Sequence, residues 1–89
     1  MRRRKRAVRV SDLSEMTLAE LPVGSRARIL ALGGEEEAVE RMMEMGLVEG
    51  TEFVLVRFAP LGDPLEIKTR GYHLTIRKAE AARIEVEEL

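Results

Sequence analysis

The chain has 89 residues, with 15 Lys+Arg, 16 Asp+Glu, one His, no Cys and no Trp, and 45% of it is hydrophobic, so one domain with its own core is expected and global disorder is not. Without Cys there is no disulfide framework, thiolate nucleophile or Cys-based zinc finger, and no apolar run approaches the ~20 residues of a membrane helix. The formal net charge of −1 conceals a division: Met1 to Arg9 carries Arg2, Arg3, Arg4, Lys5, Arg6 and Arg9 with no acid, which leaves 9 basic against 16 acidic side chains from residue 10 onward.

Residues 1–15 read as a basic, flexible arm, because a block of like charge repels itself and stays solvated. Ala7-Val8-Arg9-Val10-Ser11-Asp12 supplies no apolar h-region behind the basic block, so no export signal is expected, and a cytoplasmic location fits a core without disulfides. An ordered domain is expected over residues 16–89. Thr17-Leu18-Ala19-Glu20 has the form of a capping box, with Met16 and Leu21 as its hydrophobic staple, and Pro22 limits that helical stretch to one turn. From Arg26 to Leu32, Ala27, Ile29 and Ala31 alternate with Arg26, Arg28 and Leu30, a strand pattern that Gly33-Gly34 breaks.

Glu35, Glu36 and Glu37 then favour the positive end of a helix. Ala38, Met42 and Met45 form its apolar stripe, widened by Val39 and Met43, and Gly46 stands where a left-handed cap ends it. Thr51 to Phe58 is apolar on both parities, which fits a strand buried on two sides or one that crosses between sheet faces. Ala59 to Pro64, with two prolines and a glycine, reads as a loop. Leu65, Ile67 and Thr69 on one strand and Tyr72, Leu74 and Ile76 on the next form a hairpin around Gly71. A helical turn over Lys78–Ala82 and a last strand with Ile84 and Val86 complete the chain. The class is mainly β: a small five-stranded SH3-like barrel with one inserted α-helix and short helical turns, preferred to an OB-fold because the hairpin strands are short.

Five stretches stand in a recognisable order: Leu21-Pro22-Val23-Gly24, then Arg41 through Thr51 (RMMEMGLVEGT), then Ala59-Pro60-Leu61-Gly62-Asp63-Pro64, then Arg70 through Arg77 (RGYHLTIR), then Glu80-Ala81. Together they resemble the FeoA family, the small ferrous iron transport protein A, over roughly residues 16 to 88. The resemblance implies an SH3-like barrel with inserted helices and a cytoplasmic accessory role in bacterial ferrous iron uptake. It further implies that this role is exerted on the FeoB-type membrane GTPase/permease through its cytosolic GTP-binding region. A related barrel forms the C-terminal domain of iron-dependent repressors, so a stand-alone metal-responsive regulatory domain is a second reading. A nucleic-acid-associated protein using the basic arm is a third. Family members often carry Leu where this chain has Met42 and Met43, a volume-conserving change, and the arm is longer than the family pattern requires.

No enzyme is expected. His73 is the only His and lies on the polar side of the hairpin with Thr75 and Arg77, and Gly33-Gly34 lacks the Lys-Ser/Thr of a phosphate loop. A transition-metal centre needs three or four convergent ligands; His73 with Glu66 across the hairpin makes a weak adventitious pair, so no cofactor is expected beyond weak divalent metal. Met42, Met43 and Met45 are read as core fillers. The sharper expectation is a partner-binding surface, because small barrels bind through loops and edges. Its candidates are Arg41, Met45, Leu47, Val48, Pro60, Leu61 and Asp63. Leu61 either docks on a partner or tucks into the core; Arg41 either contacts the partner or pairs with Glu37 one turn earlier. The arm residues Arg2, Arg3, Arg4, Lys5 and Arg6 suit a solvated tail, then anionic lipid at the inner membrane or an acidic partner, then nucleic acid. No specific nucleic acid is expected, since no aromatic residue is interleaved to stack on bases.

Overall fold

The computed structural model describes residues 16–89; the basic arm, with Arg2, Arg3, Arg4, Lys5 and Arg6, lies outside the described residues. The elements are β1 (Met16–Thr17), a single 3-10 turn (Leu18–Glu20), β2 (Arg26–Leu32), α1 (Glu36–Glu44), β3 (Glu52–Phe58), β4 (Leu65–Thr69), β5 (Tyr72–Ile76), α2 (Lys78–Ala81) and β6 (Ile84–Glu88). All strand pairs are antiparallel, in the order β1-β6-β2-β3-β4-β5. The strand beyond the expected five is β1, only two residues long, which pairs Met16 with Val86 and Thr17 with Glu85. The turn behind it is capped as its residues require: the Thr17 N–H donates to Glu20 Oε1 at 2.8 Å.

Two β-bulges explain where simple alternation fails. In β2, Ala27 and Ile29 point inward, but the pairing with β6 slips between Ile29 and Ala31. Beyond the slip the parity reverses, because one extra residue moves every later side chain to the other face. Leu32 therefore turns toward the core, while Leu30 and Ala31 both face solvent. Ala31 is thus not the core residue that alternation predicts. A second slip, between Leu55 and Arg57 in the β3–β4 pair, does the same for β3: Phe53 and Leu55 are buried, then Phe58 packs against the core from the opposite parity. Between the two readings of this strand, the structure selects the one that crosses between faces.

One continuous core unites these elements, with Leu18, Ile29, Met42, Leu55, Ile67 and Ile84 each at 1% exposure or less. Burying an aliphatic side chain of this size contributes about 1.5–3 kcal/mol. Helix α1 begins with Glu36 and Glu37 in its first turn, where the macrodipole favours acids. Only Met42 on it is fully buried; Ala38, Val39 and Met45 are half-buried, and Met43 is 50% exposed. Met43 is therefore not a core filler; with Val39 it lines a surface groove beside β2. The helix ends at Gly46, whose φ of +94° suits glycine. The Gly46 N–H donates to the Met43 carbonyl at 2.9 Å and the Leu47 N–H to that of Met42 at 3.0 Å, a Schellman motif that carries Leu47 into the core. No helix among the described residues is long and apolar enough to cross a membrane.

Candidate partner-binding site

Helix α1 reaches the sheet in a fixed pose because its last carbonyls are held by two hydroxyls. The Tyr72 hydroxyl donates to the Met45 carbonyl at 3.2 Å, and the buried Thr51 hydroxyl donates to the Gly46 carbonyl at 3.3 Å while accepting from the Val48 N–H at 3.2 Å. These bonds satisfy acceptors that a helix end leaves open. They also place the end of α1 against β5, where Arg41 and Met45 line a groove with Pro64, Thr75, Arg77 and Glu80.

Pro64, the last residue of the loop of residues 59–64, lines that groove. The Ala59 N–H donates to the Pro64 carbonyl at 2.9 Å and the Gly62 N–H to the Ala59 carbonyl at 2.7 Å. Asp63 accepts the Lys78 N–H through Oδ1 at 2.9 Å, which fastens the loop to the start of α2. Braced in this way, the loop presents Leu61 at 96% exposure, so the tucked-in alternative for Leu61 is excluded; Pro60 beside it is exposed as well. Arg41 pairs with Glu80 of α2 rather than with Glu37, because the packing of the two helices offers a carboxylate across the groove. Among the described residues no ion pair engages Arg77, so the groove combines a cation without an ion-pair partner there and the Met45 side chain, and the loop that ends at its Pro64 carries the exposed Leu61.

The candidate residues do not form one surface. Arg41, Met45, Pro60, Leu61 and Asp63 belong to the groove and its loop. Leu47 is buried to 0% exposure and is a core residue rather than a contact residue, as the Schellman turn requires. Val48 lies on another side of α1, in a shallow apolar groove lined by Leu30, Ala31, Leu32, Val39, Met43, Val48 and Glu49. Thr75, Arg77 and Glu80 in the first groove, and Leu30 and Met43 in the second, escaped sequence reasoning. Arg70 to Arg77 lay within the recognised stretch, but only pairing across the sheet shows which of its side chains face α1.

His73 and Glu66 do meet, with His73 Nδ1 at 2.5 Å from Glu66 Oε2. The other Glu66 oxygen accepts from Arg57 Nε at 3.1 Å. The Arg57 bond first, then the His73 bond, hold the Glu66 carboxyl below its ordinary range. Among the described residues no three His, Cys, Asp or Glu side chains converge as a metal would require. With one carboxylate oxygen taken by a guanidinium, the pair is an ion-pair network on the hairpin surface and does not fit a metal centre.

The FeoA domain family model matches residues 16–88. The Fe(2+) transport protein A/Fe(2+) transporter FeoB fusion protein of Porphyromonas gingivalis is 39% identical over 72 residues, covering 81% of this chain and 8% of that protein. The chain therefore spans less than a tenth of the length of this curated relative. The solution structure of FeoA from Chlorobium tepidum superposes with a TM-score of 0.79 at 43% identity, covering 83% of this chain and 70% of that one. FeoA from Stenotrophomonas maltophilia, solved with zinc and described as a procaryotic SH3 domain protein, superposes with a TM-score of 0.69 at 30% identity over 81% of this chain and 89% of that one. The mainly β sheet with its inserted helix is thus SH3-like.

Proposed function

The chain belongs to the FeoA domain family, and on that premise we propose that it is a non-enzymatic cytoplasmic accessory of ferrous iron uptake that modulates a FeoB-type transporter by direct contact. The observation that carries this reading is the Porphyromonas gingivalis relative, in which a module 39% identical to this chain is joined to FeoB in one polypeptide. Covalent linkage holds a module at an effective concentration on the order of millimolar. A separate chain must supply that association through its own surface.

The groove beside α1 supplies the chemistry for it. Leu61 offers an apolar anchor on a braced loop, which limits the ordering entropy lost on docking. Arg77 and the Arg41–Glu80 pair set polar register at the edge, where charges govern specificity and on-rate. The partner surface is the transporter's cytosolic GTP-binding region. Docking there shifts the transporter's conformational populations by the difference in affinity between its states, and iron remains the transporter's cargo. The absence of a catalytic role is supported by the engagement of the sole histidine with Glu66 on an exposed hairpin.

Calorimetric titration of the full chain into the cytosolic region of a FeoB-type transporter, with and without nucleotide, tests the proposal. Saturable binding that weakens with added salt is expected. No binding at any salt concentration, in either nucleotide state, overturns it.

A further inference from the structure

The apolar groove between β2 and α1 lies apart from the groove lined by Arg41 and Arg77. Its floor is Leu32 and Val39, and its exposed surface is Leu30 at 37%, Met43 at 50% and Val48 at 36%. These are three of the seven large apolar side chains exposed among the described residues, gathered in one place. Isolated exposed side chains need no account, whereas a contiguous group marks a contact surface.

The rim of the groove is acidic. Glu49 lines it directly. Glu36 and Glu40 stand one helical step from Val39 and Met43, the i,i+3 spacing that makes neighbours on a helix. Glu85 lies opposite Ala31 across the β2–β6 pair. Among the described residues none of these four carboxylates is in an ion pair, and no Lys or Arg lines the groove. A segment that fits must carry small apolar side chains between basic ones.

Such a segment exists in the same chain: Arg2-Arg3-Arg4-Lys5-Arg6-Ala7-Val8-Arg9-Val10. In extended form Val8 and Val10 fall on one face and Arg9 on the other. The attachment point is close. Met16 and Thr17 pair with Val86 and Glu85, which pair in turn with Ile29 and Ala31, so the chain joins the sheet two strand spacings, about 10 Å, from the groove. The six residues from Val10 to Met16 span up to about 20 Å.

We propose that the basic segment of residues 2–10 docks on its own barrel in the groove between β2 and α1, with Val8 and Val10 on Leu30, Met43 and Val48 and the basic side chains among Glu36, Glu40, Glu49 and Glu85. The charge division of the chain is then an internal complementarity. Any basic partner of the same pattern competes with the segment for this face.

A zero-length carbodiimide, which joins an amine to a carboxylate only when the two touch, reads this out on the full chain. Lys5 is the single lysine of the segment. At low salt, peptide mapping is expected to find Lys5 joined to Glu36, Glu40, Glu49 or Glu85 in a product of monomer mass. The yield is expected to fall at least fivefold at high salt, and to fall likewise in the exposed double variant Glu40→Lys with Glu49→Lys. Links spread evenly over remote acids such as Glu20, Glu52 and Asp63 overturn the proposal and leave the groove to another protein. Products only of dimer mass also overturn it, assigning the groove to the arm of a second copy. A thermal melt of the double variant that matches the wild type makes its loss of links a statement about docking rather than folding.

Discussion

Glu66 is the residue at which side chains from three strands meet. It sits on β4 opposite Thr75, with Arg57 arriving from β3 and His73 from β5. Its carboxyl is held below the ordinary carboxylate range by the Arg57 bond and then the His73 bond. A carboxyl lowered in the folded state stabilises the fold fully above the unfolded value, about 4.3, and loses that contribution as pH falls through the lowered folded value. The melting temperature of the wild-type chain is therefore expected to exceed that of Glu66→Gln near neutral pH. The gap should close as a thermal melt series is carried below the carboxylate range, and a gap unchanged at the acid end contradicts the assignment. The exposure of this network keeps the effect small.

At the scale of elements, the C-terminus of α1 is the joint on which both surfaces depend. Gly46 has a φ of +94° and a Cβ built there would lie 2.8 Å from the Tyr72 hydroxyl oxygen. Gly46→Ala is thus expected to destabilise the fold by roughly 1–3 kcal/mol. Gly62→Ala, with a φ of +87° and nothing within 4 Å, carries only the backbone share, about 1 kcal/mol. Denaturant titrations in wild-type and Tyr72→Phe backgrounds separate the two causes. Without the hydroxyl, Gly46→Ala should cost less, a coupling that a double-mutant cycle measures; equal costs in both backgrounds contradict the close approach. The same joint explains why adjacent residues differ so sharply. Leu47 is drawn into the core by the Schellman turn, and Val48 emerges on the far side.

For the whole molecule, the arrangement of charge and exposed apolar surface matters more than the net charge of −1. Arg41, Arg77 and Pro64 line one groove beside α1, while Glu49 lines the apolar groove, with Glu36 and Glu40 one helical step from its Val39 and Met43. Leu61, at 96% exposure, gives a clean test of the first side. Leu61→Asp is expected to leave the melting temperature within the small range of surface changes, about 0.5 kcal/mol. In the transporter titration it should weaken binding about tenfold, equivalent to ~1.4 kcal/mol. Unchanged affinity removes Leu61 from the docking surface and leaves the groove itself to be tested by Arg77→Glu.

The sequence by itself determined what near neighbours dictate. The capped turn at Thr17, the acid-led helix ended by Gly46 and the β4–β5 hairpin around Gly71 all rest on residues a few positions apart, where periodicity and capping act. Tertiary structure decided whatever depends on a partner distant in the chain. Bulges at Ile29/Ala31 and Leu55/Arg57 reversed parity because the register is set by β6 and β4. Arg41 took Glu80 instead of Glu37 because α2 brought a carboxylate across the groove. Met43 and Leu30, distant in sequence, became one apolar face only when α1 settled beside the end of β2.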